Sequence, residues 1–205
     1  VESVITLLAV LRAGMIAVPL PLLWRGHDMT IALSNIGAKA IVTTSRVGAI
    51  RHAGLAMQVA ADLFPVRFIC AFGADLPDGI VPLDDIFSAE QQPIVPRTAR
   101  NGPAADHVAV VTFDVTADWL VAVARSHNEL MAGGTSVFLE AGVARNTKIL
   151  SAIPPSSFAG IAASLLPWLL DGGTLSLHHS FHPSTFAAQC EDHIGGMIVL
   201  PGPAL

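Results

Sequence analysis

Apolar, β-branched runs alternate with helix-length segments along most of this chain, and that alternation restricts its fold more than any other feature. "ESVITLLAVLRA" (2–13) sets Val4, Leu7, Leu8 and Leu11 on one helical face, with Gly14 as a stop. "MIAVPL" (15–20) reads as a buried strand, followed by a loop in which Asp28 can cap a helix ending at Gly37. "AKAIVTT" (38–44) is a strand, 46–62 a helix and "VRFICAF" (66–72) a strand. After a break, 107–113 and 120–125 read as strands, and Ser126-His127-Asn128-Glu129 as a capping box that opens a helix. Strands at 147–153, 174–179 and 196–201 then alternate with a helix over 157–173, kinked near Pro167, and one over 183–193. Strands that are apolar throughout, rather than at every second position, belong to a sheet buried on both faces. The expected fold class is therefore α/β: a mostly parallel, doubly wound sheet with helices on both faces.

The break supplies an expected division. Residues 88–105, "SAEQQPIVPRTARNGPAA", are rich in Pro, Gly and polar side chains. They separate a first helix/strand unit (1–87) from a second (106–205).

Composition narrows the function classes. Hydrophobic residues make up 52% and charged residues 13% of the 205, so the chain is built to bury a core. The net charge of -5, with only 11 Lys and Arg and no basic run, argues against nucleic acid as a partner. From Val4 to Trp24 the only charge is Arg12, yet Gly14, Pro19 and Pro21 interrupt the stretch, so no membrane span is expected. Cys70 and Cys190 form no paired motif and read as buried thiols in a reducing, cytoplasmic setting. The chain begins with Val inside a helix and ends on a strand leaving the core, which suggests a piece of a longer protein.

Two blocks carry a resemblance. The first is "LLAVLRAGMIAVPLPLLWRGHDMTIALSNIGAKAIVTT", with Arg12-Ala13-Gly14, Pro19 and Gly37-Ala38-Lys39-Ala40. The second is "AIPPSSFAGIAASLLPWLLDGGTLSLHHSFHPSTF", with Pro154, Gly160, Gly172-Gly173, Phe181 and Pro183. Together they resemble the N-terminal domain of the acyl-adenylate-forming ligases, the AMP-binding acyl-CoA synthetases. The resemblance implies an α/β fold and an ATP-dependent activation of a carboxylic acid before its transfer to a thiol. It also implies ATP and Mg²⁺ as family ligands.

That family keeps a phosphate-binding loop close to Thr-Ser-Gly-Thr-Thr-Gly-x-Pro-Lys-Gly, followed by Ser-His. Here Ser126-His127 matches, and Phe113, Asp114, Val115, Thr116, Ala117, Asp118, Trp119, Leu120, Val121 and Ala122 fill the loop. Only Thr116 agrees. Glycines let such a loop turn its amides toward an anion, and a lysine adds charge. Val115 and Val121 supply neither, and two carboxylates repel phosphate, each by about 1 kcal/mol in water and about 4 at a protein surface for charges ~4 Å apart. The loop is expected to be degenerate. The family's pocket histidine falls on Ser157, so Ser157, Phe158 and Gly160 are the candidate substrate-pocket residues by resemblance.

Three further readings remain open. Asp114 and Asp118 with Thr116 are hard ligands suited to Mg²⁺, against a plain solvated turn. Trp119 can plug a vacated phosphate site or simply pack. His178, His179 and His182 are close in sequence, but neighbours on a strand point to opposite faces and do not converge on a metal. No catalytic residue and no cofactor are expected within 1–205. The chain is expected to be part of an acyl-CoA synthetase-like protein, catalytically deficient, with an acyl or CoA-type small molecule and the remainder of its own chain as partners. The alternative is a non-catalytic module binding an acyl group or a partner protein.

Overall fold

The computed structural model describes residues 1–87, 101–116 and 119–202. It is an α/β structure whose strands form three small sheets among those residues. The expected connection at 88–105 lies mostly outside them.

One sheet is built on β1 (Ala40–Thr44), β2 (Phe68–Phe72) and the short β3 (Val81–Pro82), parallel in that order. Helices α2 (Gly26–Ile36) and α3 (His52–Ala61) cover one face, burying Leu33, Ala56 and Val59 against Ile41. The opposite face, with Val42, Phe68 and Val81, is open among the described residues. Strand β3 lies just before the 88–105 connection and was not expected. Two residues, one of them a proline, leave almost no periodic signal.

Four local expectations are corrected. Residues 15–20 form no strand. Only Ala17 pairs, donating to Ala109 O at 2.9 Å and accepting from Val111 N at 2.9 Å. Pro19 and Pro21 have no N–H to continue a ladder. Asp28 is not the N-cap of α2: the helix starts two residues earlier, and Asp28 accepts the Arg25 N–H at 3.1 Å from inside the first turn. Helix α3 begins at His52 rather than 46, because Val47 and Ile50 exchange backbone bonds in a tight turn around Gly48 at φ 57°. The thiols of Cys70 and Cys190 are free but only half-buried.

Further along the chain comes an antiparallel hairpin of β4 (Val108–Val115) and β5 (Leu120–Ser126). Helix α4 (His127–Glu140) follows without a linker. Ser126 and Glu129 form the expected reciprocal cap, with Ser126 N donating to Glu129 Oε2 at 2.6 Å and Glu129 N to Ser126 Oγ at 3.2 Å. A parallel sheet follows in the order β7 (Thr174–Leu177), β6 (Lys148–Ser151), β8 (Met197–Val199). The main core joins α1 (Glu2–Arg12) to these later elements: Val4 and Leu7 meet Ala109 and Val110 of β4, Leu130 of α4, and Ile161, Leu165 and Leu166.

The helix expected over 157–173 is continuous but changes pitch. It consists of α5 (Phe158–Gly160), one π-helical turn (Ile161–Leu165) and α6 (Leu166–Asp171). Pro167 explains the π turn. Its ring would collide with the carbonyl four residues back in an α-helix, and the wider turn relieves that. Glycine makes the packing possible on the facing helix. A Cβ on Gly134 of α4 would stand 2.7 Å from Leu166 Cδ1.

Candidate functional site

The opening of the candidate site is the β4–β5 hairpin. Phe113 pairs with Ala122, Asp114 with Val121 and Val115 with Leu120, so the two strands run right up to the turn. Thr116 then closes on Trp119. Its N–H donates to Trp119 O at 2.9 Å and its hydroxyl to the same oxygen at 3.0 Å, while Trp119 N donates to Thr116 Oγ1 at 3.0 Å. Both strands rich in β-branched residues favour this extended pairing over an open loop. Ala117 and Asp118 lie outside the described residues, and with Asp118 goes the geometry of a two-aspartate Mg²⁺ site.

The hairpin places the remaining loop candidates plainly. Phe113 is half-buried, its ring 5.5 Å from that of Trp24. Asp114 is exposed. Val115 is 74% exposed and Val121 44%. Trp119 is 75% exposed, so its ring stands in solvent and does not plug a cavity. Among the described residues no group of three His, Cys, Asp or Glu side chains converges.

The second part lies beyond the carboxyl end of β6. Strand β6 is central, with β7 on one side and β8 on the other, so the chain reverses direction across the sheet there. Such switch points are where open α/β sheets leave a crevice for ligands. The segment leaving β6 carries Ser157, Phe158 and Gly160. Ser157 Oγ accepts from Gly160 N at 3.1 Å and donates to Pro154 O at 3.3 Å, capping the helix. Gly160 is required by close approach: a Cβ there would overlap the Pro154 carbonyl, with the carbonyl carbon only 2.7 Å away. Two of the three pocket candidates thus shape the backbone, and Phe158 alone presents a ring.

One contact joins the two parts. The Arg125 guanidinium lies over the Phe158 ring, with Cζ 3.9 Å from its centroid. Arg125 stands near the end of β5, about 17 Å along the strand from Leu120 at ~3.4 Å per residue. The hairpin therefore reaches the helix after β6 through its base and not its tip. Arg125 was missed in the sequence because it closes the apolar run "LVAVAR" and reads as an ordinary strand end. Its solitary charge beside the Ser126 cap was the one available signal.

The histidines are structural. His182 N donates to His178 Nε2 at 2.9 Å, which leaves the proton on Nδ1 to donate to Gln189 Oε1 at 2.7 Å. Phe181 and Phe186 pack edge-on against the His178 ring. Buried His193 bridges Gln189 O at 2.7 Å and Ser176 Oγ at 2.9 Å. His178 and His179 lie just past the end of β7 and not on a strand, and His179 is exposed. A cleft of about 330 Å³ between α2 and α3 is lined by His27, Thr30, Gln58 and Asp62, and it holds none of the loop or pocket residues.

Known proteins can now be set beside this geometry. No family model matches. A curated 2-hydroxy-7-methoxy-5-methyl-1-naphthoate–CoA ligase of Streptomyces carzinostaticus is 25% identical over 98% of this chain and 37% of its own length. A putative long-chain-fatty-acid CoA ligase of Rhodopseudomonas palustris superposes with TM-score 0.81 at 18% identity, over 99% of this chain and 48% of the other. MbtA of Mycobacterium smegmatis gives 0.76 at 19% identity, over 96% and 36%. The fold is that of the acyl-adenylate-forming ligases. The chain spans under half the length of these relatives. No helix among the described residues is long and apolar enough to cross a membrane.

Proposed function

We propose that this chain is the acyl-recognising part of an acyl-CoA ligase-like, cytoplasmic protein deficient in adenylation. The observation that carries the proposal is the closed Thr116–Trp119 turn. A triphosphate is held by bare amides, hydroxyls and a lysine. Here the amide and hydroxyl of Thr116 are both engaged by Trp119. No glycine or lysine occurs between Phe113 and Ala122, and Asp114 adds an exposed carboxylate. These residues do not fit ATP phosphates, and no chemical step is routed through them.

The acyl-binding half rests on the switch point beyond β6, where Phe158 carries an apolar ring. The likeness to CoA ligases of naphthoate and fatty acids supports an aryl or acyl acid as the class of ligand.

The test is pyrophosphate release from ATP, Mg²⁺ and CoA across aryl and straight-chain acids, run beside thermal shift with the acids alone. We expect acids to raise the melting temperature and pyrophosphate to stay at background. Acid-dependent pyrophosphate release would overturn the deficiency.

A further inference from the structure

We infer that His178 is a proton-sensitive latch: its neutral ring holds helix α7 (Pro183–Asp192) to the end of β7, and acidification releases the helix.

The bonds of this ring admit one proton and no more. His182 N donates to Nε2 at 2.9 Å, and a backbone amide cannot accept instead. Nε2 is therefore bare, and Nδ1 carries the proton and donates it to Gln189 Oε1 at 2.7 Å. An imidazolium carries N–H on both nitrogens. Protonating His178 sets N–H against N–H at the start of α7 and places a charge on a ring only 5% exposed. No Asp or Glu among the described residues stands within 4.0 Å of the ring to offset that charge. The titratable groups beside it are His179 and His182, whose protonated forms add like charge. Phe181 and Phe186 pack on the ring edge-on.

His193 shows that burial alone does not make the latch. It is also buried and also bonds α7: Nδ1 donates to Gln189 O at 2.7 Å, and Nε2 accepts from Ser176 Oγ at 2.9 Å. A hydroxyl turns from donor to acceptor, so a second proton costs His193 no bond. The two rings differ in the partner of Nε2, an amide in one and a hydroxyl in the other.

The latched helix is weakly anchored. No residue of α7 is buried. Besides the two histidines, Phe186 against Phe181 and Lys148 Nζ donating to Asp192 O at 3.2 Å hold it. An element with little buried surface opens locally at low cost, so the loss of one bond weighs heavily there. Helix α7 connects β7 to β8, the strands on either side of β6, and its release frees the connection beside the switch point.

Hydrogen exchange of the chain, read by mass spectrometry at pH 7.5 and pH 5.5 and corrected for the intrinsic rate, tests this. A solvated imidazole titrates at about 6.5, so α7 amides should lose about tenfold more protection than those of β6 across that interval. His178→Gln keeps an amide donor and a carbonyl acceptor but does not titrate, and should abolish the extra loss. His193→Gln should leave it in place. Long-range proton–nitrogen NMR should show Nε2 of His178 bare at pH 7.5 and gaining its proton in step with α7 exchange. Equal loss in α7 and β6 would overturn the latch, as would an extra loss that survives His178→Gln or vanishes in His193→Gln. A His178 ring protonated while α7 stays protected would overturn it too. Should His178→Gln not fold, the NMR titration and His193→Gln still decide.

Discussion

Thr116 and Trp119 hold each other three times over, through one backbone bond at 2.9 Å and two bonds to the threonine hydroxyl at 3.0 Å. The hydroxyl acts as donor and acceptor toward the same residue, so a short loop is closed by one side chain. This is the turn where related ligases are expected to open a glycine-rich cradle.

Thr116→Val should therefore weaken the hairpin without altering any phosphate site. It removes both hydroxyl bonds and keeps the amide bond, a net loss of about 1 kcal/mol at an exposed position. A urea titration should show a lower midpoint at unchanged slope. Thr116→Ser retains the hydroxyl and should stay close to the parent. If both variants unfold alike, the hydroxyl contributes nothing.

Gly160 and Ser157 lie three residues apart and should respond very differently. A Cβ at Gly160 meets the Pro154 backbone, which cannot yield as a side chain would. Gly160→Ala should cost about 3 kcal/mol and shift the segment after β6. Ser157→Ala loses the cap to Gly160 N and the bond to Pro154 O, together about 1 kcal/mol. Comparable losses in chemical denaturation would contradict the close approach. Acid binding should survive Ser157→Ala, since its hydroxyl is turned into the helix.

Much of this was legible beforehand because local rules and tertiary structure agree. The Ser126–Glu129 cap, the stop at Gly37 and the apolar strands of both parallel sheets follow from periodicity and capping chemistry, and all are present. The failures have physical causes. The 15–20 run is apolar enough for a strand, but two prolines leave only Ala17 able to pair. Asp28 was read as the first cap residue because Ser, Thr, Asp and Asn usually fill that place, whereas Arg25 fills it here and Asp28 serves from N3. The hairpin was visible as two strands, but the Thr116–Trp119 lock depends on how they register. Arg125 could not be paired with Phe158 from sequence, since 33 positions of chain separate residues that meet only when β5 and the β6 segment share a core.

His52 should make stability depend on pH near neutrality. It opens α3 and is only 7% exposed. Burial lowers its pKa, and the positive charge of Arg25 lowers it further. Its folded pKa thus lies below the unfolded value of about 6.5. Above that value the ring is neutral in both states and stability is full. As pH falls below it, the unfolded chain takes up the proton first, so folding loses stability until the folded pKa is reached. His179 shifts in the same direction, from partial burial of its ring and then from His178, but it is exposed and solvent screening keeps its share of the slope small. Urea unfolding at pH 7.5 and pH 5.5 should show the midpoint falling at the lower pH. His52→Gln should remove part of that fall while leaving the His179 share, and an unchanged pH dependence in this variant would rule His52 out as its source.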